Sequence, residues 1–178
     1  MEIKKLSVFL FSFLFVFVSN SFADTQTIQE IGDYTQLALP AAAVAVSALK
    51  EDGAGVKQFA YATLLTMGVT YILKPTINET RPNGGEWSFP SGHTAIAFDS
   101  STYLWRRYGP WYGVPATIVA SFTGYSRVVS DYHYTHDVVA GAILGIGANL
   151  IFTSKYLSSV QVSATENDGV LLTYSHPL

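Results

Sequence analysis

Five apolar stretches punctuate the chain: Gln36–Leu49, Phe59–Leu73, Thr94–Trp105, Trp111–Gly124 and Val138–Thr153. Ala, Leu, Val and Gly dominate them, without the period-2 alternation of half-buried strands, so the pattern predicts helices and an all-α, compact helical bundle. Ahead of them, Leu6–Val18 is an apolar run broken only by Ser7 and Ser12, and Asp24–Asp33 is polar and begins a helix or lies at the interface. Behind them, Val160–Tyr174 alternates around Asn167-Asp168-Gly169, a hairpin signal.

The leading run reads as an address. Lys4 and Lys5 precede it and Ser21-Phe22-Ala23 follows, as in a secretory signal over residues 1–23 cleaved after Ala23. The competing reading is an uncleaved anchor, because Leu6–Ala23 is almost long enough to span a bilayer. Either reading sends the chain through the inner membrane of a bacterium-like cell. Residues 24–155 then form the bundle, and 156–178 a tail.

Length and charge pull in opposite directions on where the bundle lies. Each stretch is shorter than the roughly 20 residues of a full span, which taken singly favours buried core helices. The cations argue for lipid. If Gln36–Leu49 enters from outside, Lys50, Lys57, Arg106, Arg107 and Lys155 all fall inside, leaving Lys74, Arg81 and Arg127 outside. Tyr34, Trp105, Trp111 and Tyr112 sit where interfacial belts belong, and Ala140-Gly141-Ala142 and Gly145-Ile146-Gly147 suit close helix packing. The reading is five transmembrane helices after signal removal, in the inner membrane, with a soluble periplasmic protein as the alternative. Composition agrees: 49% of the 178 residues are hydrophobic and 13% charged, about half the usual charge of a soluble domain. A net charge of −3 offers no basic stripe for nucleic acid, and the absence of cysteine excludes disulfides, thiolate metal sites and cysteine nucleophiles.

The three outward cations belong to patterned blocks. The first outward loop holds Lys74, six residues, then Arg81-Pro82, and ends in Pro90-Ser91-Gly92-His93 before a helix. The second holds Ser126-Arg127, five residues, His133, three residues and Asp137. Lys74, Arg81 and Arg127 supply a point charge and two planar forks suited to phosphate oxygens. Ser91 and Gly92 can add a hydroxyl and helix-start amides, with glycine letting the backbone come close. His133 and Asp137 are four apart, the same-face spacing of a helix, at which a carboxylate can fix an imidazole tautomer and steady its positive charge, and this makes His133 a candidate nucleophile towards phosphorus. His93 is the candidate acid for the leaving oxygen. No metal or other cofactor is required, and a two-histidine metal reading through His133 and His136 lacks a third ligand pattern.

Together these blocks resemble the three-part signature of the type 2 phosphatidic acid phosphatase family, which includes bacterial class A acid phosphatases and is related to vanadium haloperoxidases. The match has no substitution at the signature positions and extends over roughly residues 33–152. The resemblance implies an all-helical fold and a phosphohistidine intermediate, with His133 as nucleophile, Asp137 as its orienting partner and His93 as general acid. Lys74, Arg81, Ser91, Gly92, Ser126 and Arg127 would bind phosphate. Membrane members act on lipid phosphates or pyrophosphates with outward-facing sites, here the periplasmic side. The rival readings are a soluble periplasmic non-specific acid phosphatase and a non-catalytic lipid-phosphate binder. Binding alone needs cations and amides, not two histidines.

Other polar residues have plainer readings. His136 reads as a surface or interface histidine, and Glu79 and Asp131 as exposed loop acids or as tuners of substrate charge. Asp99, inside an apolar stretch, needs a partner: it is either a structural hydrogen-bonding group or a contact to the site.

Overall fold

Each apolar stretch lies within a helix that runs longer than the stretch itself, with Thr153 alone left outside as a cap. A computed structural model of the chain describes residues 24–156 and the backbone of two short strands beyond them; the expected signal or anchor over 1–23 and the expected turn at Asn167-Asp168-Gly169 lie outside the described residues. The helices are α1 (Thr25–Leu49), α2 (Gly53–Ile77), α3 (Gly92–Tyr108), α4 (Pro110–Val129) and α5 (Thr135–Phe152). In the tail, β1 (Ser159–Ala164) pairs antiparallel with β2 (Val170–Ser175), Ser159 opposite Ser175.

Local chemistry sets the boundaries. Asp52 accepts the Gly55 N–H at 2.8 Å and starts α2, while Ser91 caps α3. Gly109, at φ 92°, makes the turn that Pro110 converts into α4. The polar segment does begin a helix, with Asp24 at the cap and α1 running from Thr25. At 1.5 Å per residue the 25-residue helices α1 and α2 reach about 37 Å.

α3 is the central helix and packs against all four others. Much of what it buries is small or polar: Ala95, Ala97, Ser100 and Ser101 are fully enclosed, while Tyr103 and Leu104 join the apolar core towards its C-terminal end. Gly141 and Gly145 of α5 permit the α3–α5 contact, because a Cβ on either would lie 2.5 Å from a backbone atom of α3. Asp99 is a structural hub: it accepts from Thr63 (2.6 Å), Thr66 (3.3 Å) and Asn149 (2.6 Å), joining α2, α3 and α5.

The large aliphatic side chains point the other way. Leu64 is 72% exposed, Ile143 63% and Ile118 55%, whereas Ala43 and Ala62 are fully buried. A soluble domain shows the reverse distribution, and small residues between helices with large ones outside is the arrangement of a bundle in lipid. Among the described residues, α5 is the one helix that by itself is long and apolar enough to cross a membrane.

The two sets of loops occupy opposite ends of the bundle. At one end Arg107 donates to both oxygens of Asp52 (2.7 and 2.6 Å) and to the carbonyls of Ser154 and Lys155. Lys50 sits there over the rings of Tyr108, Tyr112 and Tyr156. At the other end the two patterned loops meet.

Candidate active site

The patterned loops are tied together through their backbones. Asn83 N–H donates to Asp131 O and Ser91 N–H to Asp137 O, each at 3.0 Å. Lys74 lies in the last turn of α2, which closes on Asn78 in the left-handed conformation. The Lys74 ammonium donates to Trp87 O at 2.8 Å, and Arg81 Nε to Glu86 O at 3.0 Å, so both cations brace one turn. Ser91 receives the Thr94 hydroxyl at 3.0 Å and its N–H at 3.4 Å, opening α3.

Between these elements lies a cavity of about 200 Å³. Lys74, Arg81, Gly92, His93 and His133 line it, together with Gln36, Met67 and Tyr71 of α1 and α2. Three distant segments therefore converge on one space. A Cβ on Gly92 would meet Thr70 and Lys74 only at ordinary contact distances (3.8 and 3.9 Å). Packing does not demand that glycine; its smallness leaves the cavity floor open.

His133 and Asp137 meet by a different route from the one their spacing implies. His133 is not helical; it stands two residues before α5, where its N–H donates to Arg127 O at 3.2 Å. Asp137 is the third residue of α5 and reaches back over the helix start. Its Oδ2 accepts the Tyr134 N–H at 2.9 Å and the Ser88 hydroxyl, and lies 3.4 Å from His133 Nδ1. The acid thus serves as helix-start partner and as neighbour of the imidazole at once. Burial, and then the positive charges of Arg81 and Lys74, hold the His133 ring well below its usual pKa, against an opposing pull from Asp137. The ring is kept neutral, with Nδ1 towards the carboxylate and its far side towards the cavity.

Ser126 and Arg127 do not line the cavity. Arg127 is buried behind it, and all three of its nitrogens are engaged: Nε to Ser126 Oγ (3.0 Å), Nη1 to Asp33 Oδ1 (2.7 Å) and Nη2 to Gln29 O (2.6 Å). Gly32 makes this possible, since a Cβ there would fall 1.9 Å from Ser126 Oγ. The same Asp33 oxygen lies 3.0 Å from His93 Nε2, so one carboxylate joins two of the blocks. Tyr132 lies between Arg81 and Arg127, 5.8 and 5.4 Å from ring centre to guanidinium. Asp33, Ser88 and Tyr132 escape sequence reasoning because each is a single residue outside any spacing pattern. His136 faces away from the cavity, towards Glu79.

Similarity to known proteins follows the same segments. The chain is 32% identical over 141 residues to a lipid A 4'-phosphatase of Helicobacter pylori, covering 72% of this chain and 71% of that one. It is 47% identical over 77 residues to a lipid A 1-phosphatase of Porphyromonas gingivalis, which is 41% of this chain but only 17% of that longer protein. The fold is similar to the crystal structure of Aquifex aeolicus LpxE, with a TM-score of 0.65 at 23% identity over 75% of this chain and 87% of that one. The PAP2 superfamily profile matches residues 55–159, a stretch that begins ahead of Lys74 and runs past Asp137. On that match, and on three signature blocks closing around a single cavity, the chain belongs to the PAP2 superfamily.

Proposed function

We propose that this protein is a metal-independent phosphatase that hydrolyses a lipid phosphate or pyrophosphate at the periplasmic face of the inner membrane. One observation carries the reading: two imidazoles, His93 and His133, share a cavity with Lys74, Arg81 and the open helix start at Gly92. Phosphate oxygens would be held by these cations and by amides at the start of α3. His133, neutral and oriented through Nδ1, attacks phosphorus from its other nitrogen, forming the phosphorus–nitrogen bond as the bond to the lipid oxygen breaks. His93 gives that oxygen a proton. Water then attacks phosphorus while His93 takes a proton from that water, the phosphorus–nitrogen bond breaks to restore neutral His133, and inorganic phosphate leaves. Asp137 steadies the positive ring of His133. Arg127 and Ser126 act from behind, with Arg127 fixing Asp33 beside His93 and Ser126 bonded to the Arg127 guanidinium.

The membrane assignment rests on the outward aliphatic surface and on polarity along the bundle. Lys50, Lys57, Arg106, Arg107 and Lys155 cluster at the end opposite the cavity, so the positive-inside rule turns the cavity outward. On this reading all five helices span, α1 and α2 projecting beyond the hydrocarbon. Tyr71 of α2 lines the cavity and is 64% exposed, so on this reading the cavity borders lipid, which favours a lipid substrate over the small substrates of a soluble acid phosphatase. The similarity to lipid A phosphatases makes lipid A the first substrate to test.

Phosphate release by the detergent-purified protein from lipid A, phosphatidate, phosphatidylglycerol phosphate and undecaprenyl pyrophosphate tests the proposal. Release from at least one lipid, not lowered by chelator and inhibited by vanadate, is expected. Turnover of soluble phosphomonoesters alone would overturn the lipid assignment, and no turnover of any phosphate would overturn the enzyme.

A further inference from the structure

Outside the cavity lining, Glu79 of the first patterned loop meets His136 and Asp137 at the start of α5, bringing three metal-ligating side chains together. One ligand atom from each lies within 4.8 Å of the others. His136 Nε2 is 3.0 and 3.2 Å from the two Glu79 oxygens and 3.1 Å from Asp137 Oδ1. A tetrahedral ion about 2.1 Å from each ligand would set them about 3.4 Å apart, so little movement is needed.

A second observation comes from Asp137 itself. Its side chain is fully buried, and Oδ1 accepts no hydrogen bond, although Oδ2 is well supplied. The nearby His136 nitrogen carries at most one proton, and the two Glu79 oxygens compete for it. A buried carboxylate oxygen left without a donor is costly, and a cation among these three groups would satisfy it. The imidazole is also held in place: it stacks on Tyr134 (5.4 Å, 7°) and on Phe89 (6.2 Å, 28°). His136 and Glu79 are 58% and 28% exposed, which gives an ion a route in and room for a water ligand.

We propose that Glu79, His136 and Asp137 form a divalent-cation site of the zinc class, separate from the phosphate cavity and coupled to it through Asp137. One imidazole nitrogen with two carboxylates favours zinc and its neighbours over magnesium and calcium, which prefer all-oxygen cages. The ion takes the place of the His136 Nε2 proton, which moves to Nδ1 or to solvent. Its effect rests on the reading of His133 as nucleophile. Charge drawn from Asp137 through Oδ1 weakens the hold of that carboxylate on a positive His133 ring, so zinc slows turnover.

Zinc titration calorimetry of the tag-free full chain in detergent tests the site, with magnesium as comparison. One zinc per chain is expected, with Glu79→Gln and His136→Ala each weakening binding by more than about tenfold. Binding should persist in His133→Ala, so the site is read without turnover and independently of the proposed mechanism. Absence of zinc binding, unchanged binding in Glu79→Gln and His136→Ala, or loss of binding in His133→Ala would overturn the site. In a parallel arm, zinc should lower the rate of phosphate release in the parent protein and not in His136→Ala, each compared with its own zinc-free rate. A parent protein that binds zinc at full rate would overturn the coupling through Asp137.

Discussion

Asp33 on α1 and Arg127 on α4 form an ion pair at 2.7 Å in which the guanidinium is buried and the acid is 41% exposed. The pair does two things. It gives a buried cation its counter-charge, and it brings the Asp33 carboxylate to 3.0 Å from His93 Nε2. Asp33→Asn keeps the shape and one acceptor but removes the charge. A loss of about 1.5 kcal/mol in stability is expected, the low end for a hydrogen bond to a charged group because the acid is partly exposed and screened by solvent. Denaturation in detergent measures it. Because His93 also loses its anionic neighbour, kcat should fall more than KM rises; an unchanged kcat would separate Asp33 from the acid.

His133 and His93 should fail in different ways. His133→Ala removes the attacking atom and is expected to abolish phosphate release. His93→Ala removes a proton donor and should cost about 10²–10⁴-fold in rate. With labelled substrate, an alkaline quench should trap an acid-labile phosphoenzyme in the parent chain and none in His133→Ala. Label retained in His133→Ala would move the nucleophile elsewhere.

The pH dependence follows from the environment of His133. Its neutral form is favoured by burial and by the charges of Arg81 and Lys74. The ring therefore stays unprotonated to a lower pH than a free imidazole, and the acidic limb of kcat/KM should lie below about 6.5. Removing one of the like charges relaxes that pressure. Arg81→Gln should shift the acidic limb upward, whatever it does to the absolute rate; a limb that stays fixed would assign it to another group.

How much of this could be read in the chain differs by residue. Lys74, Arg81, Gly92, His93 and His133 were legible because phosphate chemistry requires those side chains and their spacing repeats a known signature; all five line the cavity. Ser126 and Arg127 carried the same signature, yet spacing says nothing of depth, and they lie behind it. The His133–Asp137 pair looked helical by count, whereas the structure reaches it through a helix start. Asp33 and Ser88 left no trace, since a lone acid or serine acquires its role only from what folds against it. The five helices were legible from their apolar centres. The polar segment holding Gln26, Gln29 and Glu30 was expected to begin a helix or lie at the interface, and it is helical; the other ends were not legible, because buried Thr and Ser kept the apolar runs short.

Ser88 offers a test of how Asp137 is held. Its hydroxyl donates to Asp137 Oδ2 and lies 3.4 Å from His133 Nδ1. Ser88→Ala leaves Oδ2 with the Tyr134 N–H and the His133 ring. One neutral hydrogen bond to a charged group is worth about 1.5–3 kcal/mol, so a rate loss of roughly tenfold to a hundredfold is expected if the bond orients the carboxylate. Ser88→Thr, which keeps the hydroxyl, should recover part of that loss. Equal rates for Ser88→Ala and the parent would show that the helix start alone orients Asp137.

The α3–α5 contact sets the position of the helix that begins with Ser91, Gly92 and His93, and two glycines of α5 separate packing from propensity. Alanine in place of a helical glycine gains about 0.5–1 kcal/mol from backbone entropy alone. At Gly147 a Cβ would meet nothing within 4 Å, so Gly147→Ala should show that gain as a small rise in Tm. At Gly145 the same Cβ would lie 2.5 Å from Ala95 O and 2.5 Å from Asp99 N. Those are backbone atoms of a central helix and cannot rotate aside, so the helices must part at a cost of about 1–3 kcal/mol, which exceeds the propensity gain. Gly145→Ala should therefore lower Tm, and because α3 carries the start of the cavity with it, should lower activity as well. Thermal unfolding of both variants in one detergent checks the sign. A rise in Tm for Gly145→Ala would mean that α5 does not press on α3 at that point.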